Sequence, residues 1–506
     1  MPRAGPACLT CREKCRKCDR GRPSCERCIS KGLVCGGYPE QFRFCGIASR
    51  GKWKGARIPV SNRALTREQS SATEGLSDGV TGSTSVAMAG DSSRSPTKES
   101  SISDDSNQPL AELSDDISTV LVLPLTERLL THYDKVICPH QIAEVGDDDK
   151  NPYRAFILPL ARKQIGLLYA VLGLSASHLG RLIGDEAMHE ATAVEYRLKA
   201  IRALSGEIRK SQRTSLREEE QDTVLAIIQL LLLHDISESG VSSHGIHITG
   251  AMSVYKQLIA DGLNGRRQRA VFFLGNLAWL DIVRAFAGAE RMCFSQDVRD
   301  LVAYACDDMF EQVNGVPREI FLIIGDALEK SKEHMLGWLS WDEYQLALHL
   351  AKQKLYSWDP HCRNYPTSDP LWMAIAEAHK FACVLRILRL MDPHRPARDS
   401  EIQECVIKIL DATAMISSDC SVIELVVLPL FMAGADCLSP HSRYYILGRL
   451  REIERRSEFR NPVPNDLLKK VWDARAAQSP DDDTNISWTT FTQAPGLVRP
   501  HDYLIL

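Results

Sequence analysis

The stretch ACLTCREKCRKCDRGRPSCERCISKGLVCGGY, residues 7–38, sets seven cysteines among arginines and lysines. Six of them repeat: Cys8, Cys11 and Cys18 read C-x2-C-x6-C, and Cys25, Cys28 and Cys35 repeat that pattern 17 residues on. Such a duplication implies two similar halves around a pseudo-two-fold axis. About 30 residues cannot enclose an apolar core, and this stretch offers little beyond Leu9, Ile29, Leu33 and Val34. Metal binding must then do most of the folding, at about 10–16 kcal/mol per structural zinc in small peptides. Six thiolates supply two zinc ions with four ligands each only when two sulfurs bridge both metals, so the sequence predicts a binuclear cluster. Each C-x2-C should open a helix too short to persist alone in water, with Gly21 and Pro23 in the turn between the halves. An iron–sulfur motif ends differently and lacks the duplication.

Charge follows the cysteines. Residues 1–60 hold 14 Lys+Arg against four Asp+Glu, a net of +10, although the whole chain of 506 residues nets −4. A basic head on an acidic body suits a nucleic-acid-binding module joined to a protein-facing domain. Eight of the 16 cysteines fall in the first 45 residues. The other eight are scattered singly and read as small core side chains. The start lacks the apolar run of an export signal. The longest apolar run, VLAIIQLLLL (224–233), contains Gln229 and is shorter than the roughly 18 residues that span a bilayer. A soluble intracellular protein with no membrane contact is expected, in a reducing compartment that disfavours disulfides.

Residues 61–116 carry fourteen serines and no apolar periodicity, so they cannot bury enough surface to order themselves. From about residue 117 the spacing turns helical. The segment NPYRAFILPLARKQIGLLYAVLGLSASHLG (151–180) is apolar on all sides within its second half, which predicts a buried central helix. Further helices are expected over 185–208, 224–236, 269–287, 371–391, 401–417 and 441–457. Period-two alternation is scarce, so the body is predicted to be all-α.

The six cysteines, CREKCRKCD and Pro23 together resemble the fungal Zn2Cys6 binuclear-cluster transcription factors. LLTHYDKVICP, NPYRAFILPLA, LLYAVLGLSASHL and HGIHITGA resemble the second of the two common fungal-specific transcription factor regulatory domains. The expected organisation is a small Zn2Cys6 DNA-binding domain over residues 1–45 (core 8–35), a basic and then serine-rich disordered linker over 46–116, and a large all-α regulatory domain over 117–506. The resemblance implies two Zn2+ per chain on Cys8, Cys11, Cys18, Cys25, Cys28 and Cys35, with Cys8 and Cys25 bridging and Pro23 often cis. It also places the first short helix in the DNA major groove, which makes Arg12, Lys14, Arg16 and Lys17 the expected DNA contacts. The cluster itself carries −2, leaving the head at about +8.

Cys15 departs from the family, which has Lys, Arg or His there to read guanines of CGG-type half-sites; a thiol cannot make two good bonds to a guanine edge. Residues 36–60 remain basic and aromatic, and Lys52 and Lys54 could serve nuclear import. Gly46, Gly51, Gly55 and Pro59 break any coiled coil after the cluster, so a homodimer would form through the helical body. No chemistry is expected of the body. His244 and His247 lack a third ligand, GLSAS (173–177) lies mid-helix and is no nucleophile elbow, and His361-Cys362 is isolated. The tail SPDDDTNISWTTF (479–491) has the mixed acidic and aromatic composition of an activation segment, or of a terminus with packed aromatics. The function expected is a nuclear, sequence-specific, zinc-dependent regulator of RNA polymerase II transcription. Its partners would be double-stranded DNA and coregulator proteins. The alternative is a nuclear protein-interaction or corepressor factor whose cluster does not bind DNA specifically.

Overall fold

A computed structural model of the chain describes residues 10–11, 14, 16–19, 25–33, 35, 116–142, 151–184, 186–242, 245–260, 267–288, 292–306, 308–479, 482–492, 502–503 and 505. The linker expected over 46–116 lies outside them except for Asp116. The chain divides into two compact units, Met1–Asp105 and Ser106–Leu506.

The first unit contains one described helix of more than a single turn's start, α1 (Glu26–Ser30). The second is built from helices. It opens with α2 (Ile117–Leu121) and α3 (Pro124–His132), the latter continuing through a π turn, Tyr133–Ile137, to His140. A second π turn, Tyr153–Ile157, leads into α4 (Leu158–Ala161). Long helices follow: α5 (Ile165–Ile183), α6 (Glu186–Ser211), α7 (Glu218–Glu238), α8 (Gly245–Ala260) and α9 (Gln268–Ala287). The chain then forms α10 (Gln296–Ala305), α11 (Met309–Asn314), α12 (Arg318–Met335), α13 (Trp341–Ser357), α14 (Leu371–Met391) and α15 (Ser400–Ala414). After a 3-10 turn, Ser421–Val426, come α16 (Val427–Asp436), α17 (Pro440–Ser457), α18 (Val463–Ala476) and the short α19 (Thr489–Thr492). Among the described residues the sole strand pairing is β1 (Val241–Ser242) antiparallel to β2 (Asp502–Tyr503).

The central helix expected in the second half of 151–180 is α5: Arg162 and Lys163 form a turn before it, and it starts after Gln164 in extended backbone. Gly184 closes α5 at φ +68, a conformation glycine adopts without a Cβ penalty. Two glycines let α5 and α6 pack closely. A Cβ at Gly166 would meet the Ala203 Cβ at 2.6 Å, and one at Gly173 would meet the Arg197 backbone nitrogen at 3.2 Å. The acidic first turn of α7, Glu218 to Glu220, complements the positive end of the helix dipole.

α5 and α9 are long and apolar enough to cross a membrane, but 78% and 100% of their most apolar windows are buried within the body. They are the core of the second unit. From Ala270 to Ala287 every residue of α9 is buried. Buried charges tie α14, α16 and α18 together. The Asp436 carboxylate accepts from Arg389 Nη2 at 2.6 Å and from Arg475 Nη2 at 3.0 Å, with both Arg389 and Asp436 about 1% exposed.

The acidic tail is docked. Trp488 is 1% exposed, donates its Nε1 hydrogen to the Phe286 carbonyl at 3.2 Å, and stands edge-on to Phe431. Asn485 Nδ2 donates to the Pro393 carbonyl at 2.9 Å. The aromatic of the supposed activation segment is therefore a core residue, because an indole of this size gains more by burial than by transient contacts in water.

Candidate metal centre

In a folded module without metal the interior would be aliphatic; among the described residues of the first unit it is sulfur. Cys11, Cys25 and Cys28 are fully buried, with Cys18, Leu33 and Cys35 packed against them. The second C-x2-C is organised by α1. Cys25 is its N-cap, and its Sγ accepts from the Cys28 backbone N–H at 3.3 Å. The other donors of that first turn go to Asp19, whose carboxylate oxygens accept from Glu26 N at 3.0 Å and Arg27 N at 3.2 Å. Both acceptors exploit the unsatisfied N–H groups and positive dipole end of a helix. Gly32 at φ +61 turns the chain after α1, and Leu33 N donates to the Cys28 carbonyl at 2.9 Å.

The sulfur spacing fits zinc. A tetrahedral site with Zn–S of about 2.3 Å has sulfurs about 3.8 Å apart. Cys11 Sγ lies 3.7 Å from Cys25 Sγ and 3.9 Å from Cys28 Sγ. The three ligand atoms of Cys11, Cys25 and Cys28 lie within 4.8 Å of one another, as do those of Cys18, Asp19 and Cys25. Cys25 belongs to both groups, the position a shared sulfur must occupy. Arg27 Nη1 adds a donor to Cys11 Sγ at 3.6 Å, which offsets negative charge on the sulfurs.

Of the expected ligands, Cys11, Cys25 and Cys28 are brought together, Cys18 and Cys35 pack against them, and Cys8 lies outside the described residues. Lys14, Arg16 and Lys17 are exposed on the turn begun by Thr10 and Cys11. Lys14 N donates to the Thr10 carbonyl at 3.2 Å and Arg16 N to the Cys11 carbonyl at 2.8 Å. Arg12, Cys15 and Pro23 lie outside the described residues. Asp19 was not singled out by sequence, since its helix-capping role links groups seven and eight positions away.

The other sequence signals resolve differently. His244 and the side chain of His247 lie outside the described residues. Ser175 is buried inside α5. Of the scattered cysteines, Cys138, Cys383, Cys405 and Cys437 are buried as expected, Cys293, Cys306 and Cys420 are half-buried against the core, and Cys362 is exposed. Its thiol donates to Asp359 Oδ2 at 3.2 Å, and that carboxylate pushes its pKa up, so Cys362 is poorly suited to act as a thiolate nucleophile.

Comparison with known proteins agrees with this arrangement. Residues 6–44 match the fungal Zn(2)-Cys(6) binuclear cluster domain, which binds zinc, and residues 128–500 match the fungal specific transcription factor domain. The chain is 24% identical over 511 residues to pestheic acid cluster transcriptional regulator 3 of Pestalotiopsis fici, covering 85% of this chain and 87% of that one. No solved structure matches it. Both domain families are those of transcription regulators, not enzymes. A sulfur-cored basic head and a helical body that the family match spans almost end to end make this chain a member of the fungal-specific transcription factor domain family, a Zn2Cys6 transcription regulator.

Proposed function

We propose that the protein is a nuclear, sequence-specific DNA-binding regulator of RNA polymerase II transcription, with two Zn2+ held by Cys8, Cys11, Cys18, Cys25, Cys28 and Cys35. The observation that carries this reading is the buried sulfur cluster, with Cys25 common to two ligand groups, beside exposed cationic side chains. Zinc supplies the cross-links that a head without an aliphatic core needs to hold its shape. The residues do the rest. Asp19 and Cys25 fix the start of α1, while Arg12, Lys14, Arg16 and Lys17 meet DNA, neutralising phosphate and reaching base edges in the major groove.

Residues 1–45 would act as the DNA reader and 117–506 as the regulatory body, joined by 46–116. The body would recruit coregulators and pair with a second copy. With Cys15 unable to read guanine bidentately, base preference falls to Lys14 or Arg16, within or near CGG-type half-sites.

Gel shifts with CGG-containing and scrambled duplexes at two salt concentrations test this. The expected result is preferential binding that weakens steeply as salt rises. Lys14→Ala should weaken binding, and where Lys14 meets phosphate the salt slope should fall by about one unit. Equal, weak binding to all duplexes would contradict the reading and leave the cluster as a protein-docking module.

A further inference from the structure

Inside the helical body lies a cavity of about 200 Å3, walled by α7, α9, α14, α16 and α17. Much of its lining is apolar, including Leu233, Ile236, Leu280, Leu428, Ile453 and Phe459. An apolar cavity of about 150 Å3 already holds benzene, so this one has room for a substituted ring. The remaining lining is polar and partly connected. The Tyr153 hydroxyl accepts from Gln229 Nε2 at 3.1 Å and from Asn276 Nδ2 at 3.5 Å, and Asn314 Nδ2 donates to Asn276 Oδ1 at 3.1 Å.

Three lining side chains, each at least 97% buried, carry a polar atom with no partner: Gln229 Oε1, Trp279 Nε1 and His379 Nδ1. Turning the Gln229 amide over would only exchange which of its atoms is left. His379 Nε2 lies 2.9 Å from the Leu425 carbonyl, an acceptor, so Nε2 carries the hydrogen and Nδ1 offers a lone pair. Trp279 and His379 stand edge-to-face with centroids 5.9 Å apart, which sets one donor beside one acceptor. Gly315, at φ +71, lets the chain pass close to His379 and Leu425; a Cβ there would meet Leu425 Cβ at 2.7 Å.

A buried polar atom without a partner is destabilising, so three around one void are a recognition surface waiting for complementary groups. Of the two lining carboxylates, Glu424 bonds His140 at 3.1 Å and faces Arg456 at 3.6 Å, and Glu454 is only half-buried, within reach of water. Burial holds His379 neutral, its pKa lowered to about 4. We propose that this cavity binds a small, uncharged, largely apolar molecule that both accepts and donates a hydrogen bond at one end, as a phenol or a lactam does. Its acceptor takes the Trp279 N–H, and its donor turns to His379 Nδ1 or Gln229 Oε1.

The probes are 4-propylphenol and its apolar twin propylbenzene, titrated into the full zinc-loaded chain and followed by calorimetry and by the melting temperature of the helical body. The phenol should bind saturably, raise the melting temperature, and bind about tenfold more tightly than propylbenzene. Trp279→Phe, which removes the N–H and keeps an aromatic ring, should erase most of that difference. Should this variant fail to fold, the Gln229→Leu, His379→Phe double variant, which removes both acceptors, supplies the same comparison. No saturable binding of the phenol at millimolar concentration, equal affinity for the two probes, or an undiminished preference in the variants would overturn the proposal, and a cavity filled only by water would give the first of these results. DNA plays no part in the readout, so the outcome stands apart from that of the gel shifts.

Discussion

Cys25 and Asp436 do comparable work in the two units: each is a single side chain on which several others converge. Cys25 caps α1 and contributes its sulfur to both ligand groups. Cys25→Ser should therefore cost the head most of its metal and its DNA binding together, measured by zinc content and gel shift on the same preparation. Asp436, itself fully buried, is met by two guanidinium groups. Asp436→Ala leaves those cations without their counter-charge and should destabilise the body by about 3–5 kcal/mol, seen as a shift in the urea midpoint without loss of zinc. The buried sulfur group of Cys11, Cys25 and Cys28 was legible in sequence because a repeated spacing states its own chemistry. Asp436, Asp19 and the orphaned atoms of Gln229, Trp279 and His379 were not, since their partners lie far off in the chain and no local spacing marks them. Trp488 had two readings in sequence, an activation segment or a terminus with packed aromatics, and its burial decides for the second.

Among elements, long apolar helices were readable, whereas α16, ten residues and all of them buried, was not expected. α5, α9 and α14 are buried on nearly all sides, and a helix hydrophobic all round announces itself. α12 and α13 were not expected, although their buried residues recur at helical spacing, Ile320, Ile324, Ala327 and Ser331 on one and Tyr344, Leu348, Ala351 and Leu355 on the other; their remaining faces are polar, so neither is apolar all round. The buried histidines of α5 and α14 give the body a pH dependence. His178 and His379 are each lowered to about 4 by burial. His178 faces His132 at 3.0 Å and the Ser457 carbonyl at 3.3 Å, with Arg181 nearby opposing its charge. With unfolded values near 6.5, the unfolded chain binds more protons than the folded one below that pH. The stabilisation is whole above about pH 6.5 and is lost as pH falls from there through 4. Thermal melts of the body should thus decline between pH 7 and pH 4. The decline should be shallower in the His178→Gln, His379→Gln double variant, provided its melt at pH 7 remains cooperative; an identical slope would show that these helices do not set the acid limit.

At the scale of the whole molecule, two units with unlike cores sit on one chain, one held by sulfur and metal and the other by helix packing. Their stabilities should separate. A strong chelator is expected to abolish DNA binding while leaving the helical circular dichroism signal and the body's melting transition nearly unchanged; collapse of both together would mean that the body, too, depends on metal. The division was visible in the sequence as a change of composition and charge, because a cysteine-rich basic head and an apolar helical body need different residues. The cavity was not, because its walls come from residues spread between His140 and Asn465. Elemental analysis of the purified, fully reduced chain tests the shared-sulfur head most directly. Two zinc ions per chain are expected; a ratio of one or below in folded, DNA-competent protein would contradict a cluster in which Cys25 serves both metals.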